Sequence, residues 1–402
     1  MPTQLAPVTY GAGTYGYGEY LEAVSLGIET TAVDNTLRVV PKPLFTGLKL
    51  QADVKLGTLV LNTIDANNVV WVCTDIEGWW VHPDPEVPDI ARGWGDGSYD
   101  VRGRWQARQL TLSGVFLTPD RDSVAAARNT LISATSLVHT GAWLVVNEDP
   151  PRASYVRLSG RPEITTVNPR GRTEFSVGLR AADPIKYEWI DENADGYSLT
   201  TVLCKSASPA RTGTTTITNI GNTAVSAVFE VTGPITGPAT IYNQTTDELL
   251  VITDSLRAGV SKATTFRSLT SNIATITTST VHSLSAGDIV TVAGIDSTFN
   301  GEYEVLSVPT TTTFTYAKTA TNVANTSTTS GTVVRDTDVL EVDTYDHEVA
   351  LNGIVAGNRS MVDTLVDWIR LDPGANVLQF TDEGNANSTA SLSVYYRSGW
   401  IG

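Results

Sequence analysis

Apolar and polar positions along the chain alternate with period two far more often than with the period of a helix. In "TEFSVGLRAA" Phe175, Val177 and Leu179 share one side, and in "RQLTLSGVFL" Leu110 and Leu112 oppose Thr111 and Ser113. "TLVLNTI" and "VVWVCTDIEGWW" predict strands around an Asn67-Asn68 turn, and "AWLVVNE" and "ASYVRLSG" predict two more across Pro150-Pro151. One stretch changes period. Val124, Ala127, Leu131, Ala134 and Val138 recur at spacings of three and four, which predicts a helix over 120–140. Its start carries Pro119, Asp120 and Asp122, as a helix N-terminus prefers. Residues 56–190 therefore read as a β domain with one packed helix, followed by a linker in "DPIKYEWIDENADGYS".

Beyond the linker, "GTTTITNIGN", "SAVFEVTG", "ATIYNQTT" and "ELLVITDSL" predict evenly spaced strands with Gly and Asn between them, the signature of a sandwich. From 262 to 335 the texture shifts to threonine, with its own strands in "IATITTST", "DIVTVAG", "GEYEVLSV" and "TFTYAKT". Removing this segment would join "DSLRAG" to "DVLEVDTYDHEVALNG" as a tight hairpin, so it reads as a small β module inserted at a loop tip. The sandwich then resumes with "VLEVDT", "EVALNG", a helical turn in "MVDTLVDWIRL", and the strands "NVLQFTD" and "ASLSVYYR". The expected organisation is an N-terminal arm over 1–55, a belt-like β domain over 56–190, a discontinuous sandwich over 197–261 and 336–402, and the insert over 262–335.

Composition supports a mainly β protein. The 402 residues are 41% hydrophobic and 17% charged, too many for one core, so several domains are expected. A net charge of −16 argues against a sequence-specific nucleic-acid surface, which needs clustered positive charge. No apolar run reaches the ~18 residues of a membrane span, and no basic, then apolar, leader is visible, so folding in a cytoplasm is expected. Cys73 and Cys204 follow no metal or redox spacing and read as buried free thiols.

Candidate chemistry is sparse. "GAGTYG" at 11–16 matches a dinucleotide glycine pattern but lacks the strand before it and the helix after it. Asp191, Asn193, Asp195 and Gly196 imitate half a calcium loop, yet Val202 stands where a bidentate Glu is needed. His82, His139, His282 and His347 are scattered. No nucleophile elbow or carboxylate pair stands out, so neither enzyme activity, a cofactor nor a metal is expected. "RGRWQAR" places Arg102, Arg104 and Arg108 on one side of a strand and Trp105 on the other. A phosphate stripe suits an acidic chain poorly. A subunit interface, with Arg forks meeting a neighbour's carboxylates, is favoured over a plain solvated face. Trp79, Trp80 and Trp94, read as exposed beside proline-rich loops, suit the same interface.

Two stretches resemble the distal tail proteins of long-tailed (siphovirus-type) bacteriophages. "GDGSYDVRGRWQARQLTLSGVFL" with the helix at 120–140 is similar to that family's N-terminal ring, or belt, domain. "NIGNTAVSAVFEVTGPITGPATIYNQTTDELLVITDSL", "DVLEVDTYDHEVALNG" and "WIRLDPGANVLQF…SVYYRSGW" resemble its galectin-like C-terminal domain. The insert, with "HSLSAGDIVTVAGIDSTFNGEYEV", resembles a small β module found in assorted phage tail proteins. The resemblance implies a virion structural protein: a homo-oligomeric, hexameric ring at the tail tip, assembled in the host cytoplasm. Its partners would be the tail tube protein, the tip hub protein, and the tape measure protein or fibres, around a channel for DNA. An acidic channel wall would repel DNA phosphates. The competing reading is an adhesin that binds host glycans by stacking sugars on Trp368, Trp400 or Tyr396.

Overall fold

The computed structural model describes residues 28–33, 36–41, 54–168, 172–190, 198–203, 212–328, 330–355, 357–363, 367–383 and 389–402. The glycine pattern at 11–16, the calcium-like loop at 191–196 and Cys204 lie outside these residues. The chain divides into two compact units, Met1–Gly196 with Gly399–Gly402, and Tyr197–Ser398. Of the arm expected over 1–55, the described part is the hairpin Ile28–Val33 with Thr36–Pro41, together with Val54–Leu56, which belongs to the main sheet.

The first unit is built on an antiparallel sheet of eleven strands. Its centre is Arg108–Leu117, paired on one side with Arg172–Ala181 and on the other with Val70–Glu77. Beyond Arg172–Ala181 follow Arg152–Leu158, Ala142–Val146 and Val54–Leu56. The alternation predicted at 110–112 and 175–179 puts Leu110, Leu112, Phe175, Val177 and Leu179 into one core with Trp71, Phe116 and Leu144. The helix covers that core. It runs Ser123–Thr135, shorter than the expected 120–140, and buries Ala127 and Leu131. Asp120 accepts the backbone N–H and the hydroxyl of Ser123 (both 2.8 Å) in the turn that leads into the helix, whose N-cap residue Asp122 makes no side-chain cap bond. Ser136 leaves the helix, and Val138 at the end of the apolar stripe is exposed.

Two segments depart from expectation. Residues 183–190, read as linker, contribute the strand Lys186–Glu188, which pairs with Arg152–Ala153 and with Gly399–Trp400. Residues 399–402, grouped by sequence with the sandwich, therefore belong to the first unit's sheet. "MVDTLVDWIRL" is not helical over its described length. A 3-10 turn runs Asn358–Met361, Val362 bridges Ile252, and Arg370–Leu371 pairs with Val225–Ser226. Buried Ile369, exposed Arg370 and buried Leu371 follow the strand period.

The second unit contains two sandwich sheets and a barrel. One sheet has the order Ser198–Leu203, Ser391–Tyr396, Val225–Thr232, Val339–Asp343, Glu348–Leu351. The other has the order Thr212–Asn219, Gly374–Asp382, Ala239–Asn243, Glu248–Ile252. Each buries alternate side chains, including Phe229, Val231, Leu340 and Val394 in the first and Ile217, Ile241, Leu378 and Phe380 in the second. Asn219 and Asn243, at the ends of second-sheet strands, donate to the carbonyls of Leu371 and Arg370 (3.0 and 3.1 Å), which hang on the first sheet. Strands from before and after the threonine-rich segment thus interleave in both sheets.

That segment closes on itself. Val260–Thr270 pairs with Ile273–Thr278, and the ladder continues through Thr313–Ala317, Gly301–Thr310, Ile289–Ala293 and Thr332–Arg335 back to Val260–Thr270. Its core is separate and contains Leu269, Ile276, Val290, Val292, Phe299, Phe314 and Tyr316. Thr275 and Thr277 alternate with buried Ala274 and Ile276, so β-branched threonine here serves the outer face of a strand.

Because Val260 pairs directly with Arg335, replacing 260–335 by a short Gly-Ser link should leave a chain with the parent's sandwich and one cooperative melting transition for it. Circular dichroism and amide exchange would check this, and an aggregated or uncooperative product would contradict it.

Candidate assembly surface

The sequence-derived interface residues do not form one stripe. Arg102 lies outside any strand, Arg104 belongs to the short strand Arg104–Trp105, and Arg108 opens the central strand Arg108–Leu117. Arg108 is 1% exposed, and Trp79, expected on the surface, is wholly buried. Both are corrections with one cause: these two residues root a projecting segment instead of decorating it. The Arg108 guanidinium donates to the carbonyls of Gly78 (3.0 Å), Val81 (2.7 Å), Pro184 (3.0 Å) and Ile401 (2.6 Å). Burial pulls its pKa down to about 10. The Trp79 indole N–H donates to Glu148 Oε1 at 2.8 Å, and its carbonyl accepts from Lys186 Nζ at 3.0 Å. Lys186 also sits over the Trp79 ring at 4.8 Å, and burial brings its pKa down to about 8. Gly78 is required here: at φ +83° a Cβ would lie 2.2 Å from the Gln109 carbonyl oxygen.

Between these anchors, residues 80–107 form an arm. Its stem pairs Pro85–Glu86 with Arg104–Trp105, and its outer part pairs Ile90–Ala91 with Ser98–Tyr99. Arg104 forks onto Glu86 (2.9 and 3.1 Å), which holds that carboxyl below its ordinary pKa. The His82 ring stacks on Trp105 at 5.6 Å. At the tip, Trp94 is 99% exposed, held between Gly93 and Gly95. Trp80, Val81, Val87, Ile90 and Tyr99 are also exposed. A series of large apolar side chains is thus exposed along one segment, which solvent alone does not favour.

A second surface was missed by sequence reading. On the sheet face opposite the core, Trp143 is paired across strands with Tyr155, and Trp143 meets Trp189 at 5.9 Å. Exposed Lys55 and Val60 continue this face, and exposed Arg157 stands directly opposite exposed Arg180. Like charges facing each other across a ladder destabilise it, so this pair is unfavourable within the sheet itself. The available signal was the alternation itself: Trp143 in "AWLVV" and Tyr155 and Arg157 in "SYVRL" stand on the face opposite the core, where solvent would favour small polar residues.

The glycan candidates are occupied. His347 stacks on Trp368 at 4.3 Å and Arg359 lies over the same ring at 4.8 Å, so the indole is already engaged within the chain. Trp400 is buried under Arg152, 4.4 Å from its centroid, and Tyr396 is only half-exposed. Cys73 is buried, and its thiol is pushed up to about 12, chiefly by desolvation. His282 is buried against the edge of Phe314, its Nδ1 accepting the Leu284 N–H at 3.0 Å. Among the described residues no three His, Cys, Asp or Glu side chains could together hold a metal, and no helix is long and apolar enough to cross a membrane.

Residues 300–400 match the family described as siphovirus-type tail component, C-terminal domain. No curated protein matches the chain. Among solved structures it is similar to the Dit protein of phage SPP1, described as a paradigm of the hub adsorption apparatus in phages infecting Gram-positive hosts. Identity is 12%, over 81% of this chain and 93% of that one, with a TM-score of 0.41. It is also similar to a chain of the phage P2 baseplate in its activated, calcium-bound conformation, at 7% identity, 86% and 97% coverage and a TM-score of 0.31.

Replacing Arg108 by Met leaves several buried carbonyls without donors and should lower stability by about 3 kcal/mol, read from urea midpoints. Lys186 gives a pH test. Its folded pKa is below its unfolded value, so the unfolded state binds more protons between about 8 and 10, and stability rises with pH there. Between about pH 7.5 and 9.5 the parent should gain about 1–2 kcal/mol relative to Lys186→Met in paired denaturation curves.

Proposed function

We propose that this protein is a distal tail component of the virion that forms a homo-oligomeric ring at the tail tip. The ring joins the tail tube to the hub and fibres and leaves a passage for DNA. The reading rests on the family match over 300–400 together with the arm at 80–107, whose apolar side chains nothing within the first unit covers.

The ring contact is assigned to two surfaces of the first unit. The arm carries Asp84, Glu86, Asp89, Asp96 and Asp100 against Arg92, Arg102 and Arg104, a net charge of −2 from five acids and three bases. The sheet face carries Lys55, Arg157 and Arg180 beside Trp143, Tyr155 and Trp189. An acidic, aromatic arm and a cationic, aromatic face on one chain are complementary, and two different patches of one chain make a head-to-tail contact that closes into a ring. Trp94 is the expected anchor, since a fully exposed indole gains most from docking. Arg102 and Arg104, on the arm, and Trp80, at its root, lie within the same contact. Glycan recognition is not favoured, because the Trp368 ring already stacks with His347 and carries Arg359.

Light scattering coupled to size exclusion tests the reading. The parent should elute as a closed multi-subunit species that weakens with salt, and Trp94→Ser or Arg180→Glu should each weaken assembly about tenfold or more. A parent that remains monomeric at every concentration, alone and with tail tubes, would refute the ring.

A further inference from the structure

The barrel leaves and re-enters the sandwich through two chain segments, 253–259 and 336–338. Two residues beside each other at this passage would ordinarily make a hinge. Here they are stitched. Asp338 N–H donates to the Arg257 carbonyl at 3.0 Å, and the Gly259 N–H donates to Thr337 Oγ1 at 3.0 Å. Around them four charged side chains converge: Arg257, Asp288, Arg335 and Asp338. Asp288, Arg335 and Asp338 have side chains only 5–6% exposed. Arg335, the last residue of the barrel, bonds Asp338 Oδ1 at 2.6 Å and the Ala258 carbonyl at 2.5 Å.

The cluster reaches into both bodies. On the sandwich side, Asn352 Nδ2 donates to Asp338 Oδ1 at 3.3 Å, and the Gly233 N–H donates to the Asp338 carbonyl at 2.9 Å. On the barrel side, Asp288 stands in the loop before Ile289–Ala293 and also accepts the Ser285 N–H at 2.8 Å. Arg257 forks onto Asp288, with Nη1 at 3.1 Å from Oδ2 and Nη2 on Oδ1. It is the long-range link, because 31 residues separate the two. Two arginines and two aspartates balance in charge; Asp288, Arg335 and Asp338 are buried, and Arg257, 41% exposed, closes the group from its solvent side. Desolvation cancels much of the net stabilisation of such a group, whereas its geometry is strict. Its value therefore lies in direction.

We propose that the Arg257–Asp288–Arg335–Asp338 cluster is a locked joint that holds the barrel in one fixed orientation on the sandwich, so that the two move and bear load as one body. A flexible tether would let the barrel sample a cone of directions. The fork from Arg257 to Asp288 removes that freedom, since swinging the barrel would separate a buried carboxylate from its donors. This goes beyond the ring reading and stands whether or not the first unit assembles.

The test is a distance distribution between nitroxide labels at exposed Leu306 of the barrel and exposed Leu249 of the sandwich, in the full chain with Cys204→Ser. Cys73 is buried with its thiol raised to about 12, so the label leaves it unmodified. The parent should give one narrow distance, and Arg257→Gln should broaden it about twofold, as hinge freedom replaces a fixed orientation. Arg257→Lys should fall between, because an ammonium keeps the charge and loses the fork. Asp288→Asn repeats the test from the barrel side should Arg257→Gln fail to fold. A parent distribution as broad as the Gln variant's, or both variants as narrow as the parent, would overturn the proposal.

Discussion

The pairing of Val225–Thr232 governs the second unit. This strand has Ser391–Tyr396 on one side and Val339–Asp343 on the other, with Phe229 opposite Val394 and Val342. Both partners come from after the barrel. The chain must therefore come back beside the place where it left, and any insertion is restricted to a domain whose ends are neighbours. The barrel meets that condition because its first and last strands pair, Val260 with Arg335. In the first unit the equivalent role belongs to Arg108, whose guanidinium gathers the carbonyls of Gly78, Val81, Pro184 and Ile401 around the base of the arm. A planar cation with several fixed donors suits this task, since it can bind carbonyls from several segments at once.

Period-two alternation made most of the fold legible. The strands around Leu110, Phe175, Phe229 and Leu378 bury the side chains that alternation selects, because a strand with one covered face leaves an unambiguous pattern. The threonine-rich segment was also separable, since its outer strand faces carry Thr where the rest of the chain mixes charges. Helical spacing was less exact. Val138 continues the stripe in sequence but lies past Thr135, because spacing alone carries no stop signal. "DWIRL" misled for a related reason: Ile369 and Leu371 fit the strand period as well as a helical face.

The surface was harder to see. Arg102, Arg104 and Arg108 share parity in sequence, yet parity has meaning only within one continuous strand, and Arg104–Trp105 and Arg108–Leu117 are separate strands with different partners. Trp79 and Trp80 are adjacent and have opposite fates, one wholly buried and one exposed. Nothing local distinguishes them. What does is Glu148, far along the chain, which accepts the Trp79 indole N–H. Lys186 was hidden in the same way, inside a segment that looks like linker until Gly399–Trp400 arrives to pair with it. The aromatic face of Trp143 and Tyr155 could have been noticed, because those residues occupy the solvent side of an otherwise regular alternation.

The adjacency of Val260 and Arg335 has an evolutionary corollary. Neighbouring strands lie about 4.8 Å apart, so the sandwich offers a socket of fixed width that many small folds could fill without disturbing it. Exchange of one cassette for another between genomes would then cost little in folding, and the appended surface could diversify while its scaffold stayed constant. A newcomer would still meet Arg257 and Asp338 on the scaffold, and would need to supply its own counterparts to Asp288 and Arg335 before it could sit as firmly.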